Sequence, residues 1–439
     1  MLKGAPARGG ATSAGDSALV DELAPGRWYV LLLMTAVYAL NIADRFVMST
    51  LIEPIKADLH LSDSAVGFLT GVALAFFFVT AGLPLAVLAD RVNRKKLVAA
   101  SLAAWSLFTA ACGLTRTFWQ LMLTRTLVGI GEAGGVPPSQ SLLSDYFGWR
   151  RRAFALSIYS VGASVGSMLG SSAGYVSEYW GWRSALMVLG LPGVLLAGIV
   201  FITVKEPLRG RLDAPTHDRS TASFLALLKF IRQAPALQHA LAGGTLFTLW
   251  AWGLLWWSPS FLVRSHRMSL GHAGGALSLV HGIGGTAALL LTSVVMGKLA
   301  NRDARVVPWF LAAVAAIATV PSILAFTTDS RITSLVMFWI FIPLSYAMFG
   351  PTFALMQNLV PASMRAQSTA VLLFCANVAN LIVAPQAVGL ASDLLTPRFG
   401  DDALRVALVP LTFVGFWAAF HFWRCAKHMA AGLLRANIL

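Results

Sequence analysis

Apolar stretches of about twenty residues, the length a helix needs to cross the hydrocarbon core of a bilayer, recur almost without interruption from Trp28 to Trp423. No single water-soluble core buries that much apolar surface, since 57% of the 439 residues are hydrophobic and only 12% are charged. Lipid must therefore solvate most of the chain. Leu186 to Val204 and Val306 to Val320 are apolar on every face, whereas a membrane-spanning strand alternates between lipid and lumen. The pattern predicts an all-α membrane protein with twelve transmembrane helices, near 28–51, 64–89, 97–114, 118–142, 153–177, 183–204, 236–262, 272–297, 306–326, 333–356, 366–393 and 405–424.

The longest polar interruption runs from Lys205 to Pro235 and carries Glu206, Pro207, Asp213, Pro215, His217 and Asp218. It divides the chain into an expected first six-helix bundle at 28–205, a cytoplasmic linker at 206–235 and a second bundle at 236–428. Residues 1–27, rich in Gly, Ala and Ser, are expected to form a disordered cytoplasmic tail without a cleaved secretion signal, and 429–439 a second tail. Cys112, Cys375 and Cys425 are scattered, so neither a disulfide framework nor a metal site is expected.

A formal net charge of +14 raises the possibility of nucleic-acid binding. Position decides otherwise. A large majority of the 33 basic residues fall on alternate loops, among them Arg91, Arg94, Lys95 and Lys96, then Arg150 to Arg152, and later Lys298, Arg302 and Arg305. Basic loops face the cytoplasm, so both termini are expected inside, in the inner membrane of a bacterium. The excess charge is a topology signal that attracts anionic lipid headgroups, and nucleic acid is excluded as a partner.

The two halves repeat. Ala86-x-x-x-Asp90-Arg91-x-x-Arg94 recurs as Gly297-x-x-x-Asn301-Arg302-x-x-Arg305, displaced by 211 residues, and Arg152 is echoed by Arg365. Parallel duplication of six helices is one way to build two bundles that rock about a site near the bilayer midplane. No Walker sequence, HExxH, GxSxG or clustered Cys/His pattern is present. An enzyme is therefore not expected, nor a cofactor, and an ion gradient would supply the energy. A lipid-sensing receptor without turnover and a passive channel are the rival classes.

Charges away from helix ends are almost confined to Asp44, Arg45, Arg125 and Glu132, all in the first half. Each costs about 2.5–3.5 kcal/mol or more at the bilayer centre, so retention implies partners or use. Arg125 and Glu132, seven residues apart, share a helical face about 10.5 Å apart along the axis. One reading pairs Asp44 with Arg125 or Arg45 with Glu132 as static salt bridges that let the helices insert. The functional reading makes the carboxylates proton carriers and the guanidinium groups binders of an anionic substrate. Gly162, Gly166, Gly170 and Gly174 form a stripe for close backbone approach, with the glycine-rich 282–285 segment as a candidate partner, and His281 is a weaker proton-relay candidate. The second half offers aromatic residues such as Trp252 and Trp256, so a cavity with one charged and one apolar wall would suit an amphiphile.

Ala86-Val-Leu-Ala-Asp90-Arg91-Val-Asn93-Arg94-Lys95-Lys96 resembles the loop 2/3 signature of the major facilitator superfamily, with Ala86 and Asn93 where glycines are usual. Leu40-Asn41-Ile-Ala-Asp44-Arg45-Phe46, Arg125-x5-Gly131-Glu132-Ala133 and Pro137-Pro138-Ser139 to Asp145-Tyr146-Phe147 are similar to the spinster-like transporters. That resemblance implies proton-linked movement of lysophospholipids or sphingosine-1-phosphate, with small organic anions or drugs as the alternative within the superfamily. It also implies that Asp44, Arg45, Arg125 and Glu132 bind the headgroup and couple protons. Asp90, Arg91, Arg94 and Arg152 would form a cytoplasmic gate. The sequence leaves the oligomeric state open; a monomer is one expectation, since each duplicated chain could hold a complete pathway.

Overall fold

The computed structural model describes residues 26–73, 80, 92–147, 149–208 and 223–436. Among these there are helices and no strand. α1 is Arg27–Thr50; α2 begins as Asp63–Gly67 and continues through a π-helical turn, Phe68–Val72; α3 is Arg94–Cys112; α4 is Phe118–Glu132, resumed after a short break as Val136–Tyr146. α5 and α6 form one run, Trp149–Thr203, broken at Gly181. In the second half α7 is Pro235–His266, α8 is Leu270–Leu279 with a π turn at Val280–Gly285 and then Thr286–Arg302, and α9 is Val306–Thr327. α10 is Arg331–Asn358, α11 runs from Arg365–Asn377 through a π turn at Val378–Val383 to Ala384–Phe399, and α12 comprises Ala403–Thr412 and Val414–Arg435.

These are the helices the hydropathy pattern predicts, arranged as the two six-helix bundles of a multi-pass membrane protein, except that most of the expected 74–89 stretch lies outside the described residues and α12 continues to Arg435, through most of the expected tail at 429–439. Within the expected linker, 209–222 lie outside the described residues and Phe224–Gln233 forms a short helix. Leu32, Leu195, Ile202, Leu291, Ile317 and Leu394 are exposed, as side chains facing lipid must be.

Local chemistry sets the breaks. Gly181 adopts φ 79° and ψ 160°, a conformation open mainly to glycine, and there α5 turns into α6. Asn93, one of the two departures from the loop signature, has its own use: its side chain accepts from the Lys96 amide at 3.0 Å and caps α3.

The bundles meet along two seams, α5 with α8 and α2 with α11. The repeat, which maps α2 onto α8 and α5 onto α11, relates one seam to the other. The π turns at Phe68–Val72 and Val280–Gly285 sit at corresponding places, 212 residues apart, and such turns occur often at functional positions. Small residues close the seams. A Cβ on Gly67 would lie 2.6 Å from the Pro385 carbonyl oxygen and one on Gly389 2.5 Å from that of Asp63. The α5 glycine stripe serves a different contact from the one expected. Gly162, Gly166 and Gly170 pack on α1 of the same bundle, and only Gly174 meets α8. The close approach builds the first bundle, because α1 and α5 run side by side, while α8 follows another face of α5, meeting it at Gly174, Met168 and Ser164.

Candidate functional site

Among the described residues the four intramembrane charges form two ion pairs. Arg125 Nη1 donates to Asp44 Oδ2 at 2.9 Å, joining α4 to α1, and Thr109 of α3 donates to the other Asp44 oxygen. Arg45 places Nε at 2.9 Å and Nη2 at 2.8 Å from Glu132 Oε2. Both pairings are those the static salt-bridge reading names, and both lie inside the first bundle. A void beside Asp44, bounded by Leu40, Trp105, Ser106 and Gly190, is only about 10 Å³, at the lower limit for one water.

The two pairs are not equivalent. Arg125 and Glu132 are fully buried and Asp44 nearly so, whereas the Arg45 side chain keeps 14% of its surface exposed. Glu132 Oε1 and Arg125 Nε are buried without a hydrogen-bond partner among the described residues. Glu132 also sits where α4 breaks. Gly131 lets that bend press on α3, since a Cβ there would come within 3.0 Å of Trp105. A buried carboxylate with an unused oxygen is an expensive group.

Across from α1 the second bundle presents rings and hydroxyls. Phe46 packs edge-on to Trp252 (6.1 Å between centroids) and to His281 (5.0 Å), and Trp252 lies 5.7 Å from Tyr346. Tyr38 of α1 stacks on Tyr159 of α5 at 4.7 Å.

Of the expected cytoplasmic gate, Asp90 and Arg91 lie outside the described residues. Arg94 is buried and bonds Asp145 at 2.5 Å and Glu206 at 2.8 Å, tying the start of α3 to the ends of α4 and α6. Burial opposes its charge, yet hydrogen bonds and attraction from Glu206 and Asp145 raise its pKa. Arg152 donates to the Ser144 carbonyl at 2.8 Å.

The outer face holds a network that sequence reasoning missed. Arg264, near the end of α7, clasps Asp63 with both terminal nitrogens at 2.7 Å and reaches Glu53 at 2.9 Å through Nε. Lys56 and Ser392 each reach Asp63 at 2.6 Å, and Asp393 of α11 accepts from the Asp63 and Ser64 amides at 2.8 Å, capping α2 from the other bundle. Burial pushes the Asp63 carboxyl up, but the bonds and charge of Arg264, with Lys56 and Ser392, outweigh it and hold that carboxyl well below the usual range. One signal was available. Glu53 and Arg264 are 211 residues apart, the spacing of the repeat. Equivalent positions of opposite charge near a pseudo-two-fold axis meet each other across it.

Paired seams related by an internal repeat, with charges buried beside one of them, are the architecture of a carrier. A family profile for the Major Facilitator Superfamily matches residues 34–384. An "MFS-type efflux pump" of Mycolicibacterium smegmatis is 33% identical over 406 residues, covering 90% of this chain and 92% of that one. Human "Protein spinster homolog 1" is 28% identical over 451 residues, covering 95% and 84%. The solved structure of a bacterial homologue of the human lysosomal transporter Spinster, inward-facing and unoccupied, superposes with a TM-score of 0.82 at 26% identity, covering 93% of this chain and 98% of that one. With fold, repeat, signature loop and full-length relatives in agreement, this chain belongs to the major facilitator superfamily as a spinster-like membrane transporter and not as an enzyme.

Proposed function

We propose that the protein moves an amphiphile with an anionic or zwitterionic headgroup, of the lysophospholipid or sphingoid phosphate class, by alternating access coupled to protons. The observation that carries this reading is the Arg45–Glu132 pair: a partly exposed guanidinium holds one oxygen of a fully buried carboxylate whose other oxygen has no hydrogen-bond partner among the described residues. A proton on that oxygen neutralises Glu132 and frees the Arg45 fork, which suits a phosphate's two oxygens. Conversely, a phosphate that takes Arg45 leaves Glu132 buried without its counter-charge, a state relieved by proton uptake. Proton and headgroup are thereby linked through one arginine. Asp44 and Arg125 hold the neighbouring helices in place and complete the binding wall, and the aromatic side chains opposite receive the tail.

On this reading residues 28–205 and 236–428 rock as two units tethered by 206–235. Arg94 and Arg152, with Asp90 and Arg91, organise the cytoplasmic gate, and Arg264 with Asp63 locks the outer one. The basic loops favour a bacterial inner membrane, and one chain suffices for the pathway. A second reading, export of a small drug or organic anion, is favoured by the similarity to the mycobacterial efflux pump.

Proteoliposomes separate these. Lysophosphatidylglycerol, sphingosine-1-phosphate and small organic anions are followed with and without a proton gradient, in the wild type and in Glu132→Gln. Gradient-driven movement of a lysolipid that Glu132→Gln loses is the expected result. Movement of small anions alone would replace the substrate, and saturable binding without movement would make the protein a sensor.

A further inference from the structure

α5, α8 and α10 line a cavity of about 170 Å³ whose wall carries the hydroxyl-bearing residues Ser157, Ser160, Thr292, Ser293 and Tyr346 and, among the described residues, no charged side chain. Pockets that take a whole drug-sized ligand run to roughly 300–1,000 Å³, so this space fits part of a molecule. Because its wall carries no counter-charge, an ionised group would pay a large desolvation penalty there, whereas hydroxyl, ester or amide groups can be hydrogen-bonded.

Tyr346 links this cavity to the seam between the bundles, through a hydrogen-bond chain whose direction is fixed. Ser167 of α5 donates its single hydrogen to the Ala163 carbonyl at 2.9 Å, so in its 2.9 Å contact with Tyr346 it accepts and Tyr346 donates. The tyrosine oxygen then accepts from His281 Nδ1 at 3.1 Å, which leaves Nε2 as the acceptor of that ring. Tyr346 and His281 belong to the second bundle and Ser167 to the first, and all three are buried. Alongside, Ser164 and Thr286 bond at 2.8 Å, and Ser278 donates to the Met168 carbonyl at 2.9 Å. A phenol has one hydrogen to donate. A ligand that takes it releases Ser167.

We propose that this cavity is the subsite for the uncharged, hydrogen-bonding segment of an amphiphilic substrate, a glycerol ester or amide backbone, and that Tyr346 is the positioning residue that lets go of Ser167 when that segment binds. The proposal rests on the amphiphile reading above but not on its proton step or charged wall, so a monoacylglycerol, which has the glycerol ester and no phosphate, tests it separately. The full chain, with Cys112, Cys375 and Cys425 replaced, carries spin labels on the inner ends of α5 and α8 in lipid nanodiscs and is titrated with monolaurin.

In the wild type and in Glu132→Gln alike, monolaurin shifts the inter-label distance. Tyr346→Phe shows that shift without ligand and weakens the monolaurin response two- to tenfold, the value of one hydrogen bond. Ser167→Ala, the second variant should Tyr346→Phe not fold, shows the same ligand-free shift. Thr292→Leu fills the cavity, keeps the ligand-free distances and loses the response. A wild type that ignores monolaurin, wild-type distances in Tyr346→Phe or Ser167→Ala, or a full response in Thr292→Leu would each overturn the inference. Loss of the Glu132→Gln transport phenotype with these responses intact would retire the proton step alone.

Discussion

Two charged centres of similar chemistry differ in what they connect, one lying within a bundle and the other spanning the seam between the two. Asp44, Arg45, Arg125 and Glu132 lie deep in the membrane within one bundle, so rocking that bundle as a body need not break either pair. Glu53, Lys56 and Asp63 face Arg264, Ser392 and Asp393 across the seam at the outer face, so opening outward must separate them. On the proposed reading the first centre serves stability and local chemistry and the second sets the conformational equilibrium. Which helices a pair connects, rather than how deeply it is buried, decides what its loss does.

Arg125→Ala should have the largest effect on the fold. It strands Asp44 in the bundle core, a change worth about 3–5 kcal/mol, and should lower the unfolding temperature in detergent sharply. An unchanged unfolding temperature would show that the pair is dispensable to the bundle. Arg264→Ala removes charge-assisted bonds worth about 1.5–3 kcal/mol from between the bundles. Labels on the outer ends of α2 and α11 should report a ten- to hundredfold shift towards separation, with little change in unfolding temperature. A fall in unfolding temperature without separation would make this network structural as well.

Two alanine substitutions repeat the comparison without charge. Gly166→Ala forces a Cβ against the Ala39 carbonyl inside the first bundle, and Gly67→Ala brings one to 2.6 Å from the Pro385 oxygen across the seam. Each overpacks by about 1–3 kcal/mol. The first should appear as lost stability and the second as outer-face opening, and identical behaviour of the two would erase the distinction. The smallest expected effect is that of acid. A carboxyl whose folded-state pKa is depressed lends stability that is complete above the ordinary value near 4 and fades only as pH falls through the depressed one. Asp63 is such a group, so the α2–α11 label distance should not change between pH 7 and 5. Opening within that window would mean that another group controls the outer face.

The helices were readable because a bilayer imposes a length and an apolar period on each of them. The intramembrane quartet was readable for the same reason, since Asp44, Arg45, Arg125 and Glu132 stand out wherever charge is expensive. Arg264, Asp63 and Glu53 did not stand out. At a membrane surface charge is ordinary, and Arg264 looked like any outer-loop arginine until α7 brought it against α2. Tyr346 and Ser167 were hidden differently, because a tyrosine and a serine on apolar helices give no signal of the partners they will find.

Composition, periodicity and the repeated loop were enough to establish a duplicated twelve-helix membrane protein and to name its costly residues, because those properties depend on solvent and helix geometry and not on which helices touch. Pairing is another matter. That Arg125 takes Asp44 while Arg45 takes Glu132, that three of four glycines on α5 face α1, and that Glu53 meets Arg264 across the axis all depend on how helices distant in sequence are placed. Side chains 81 or 211 residues apart become neighbours only through packing, and no local pattern encodes that.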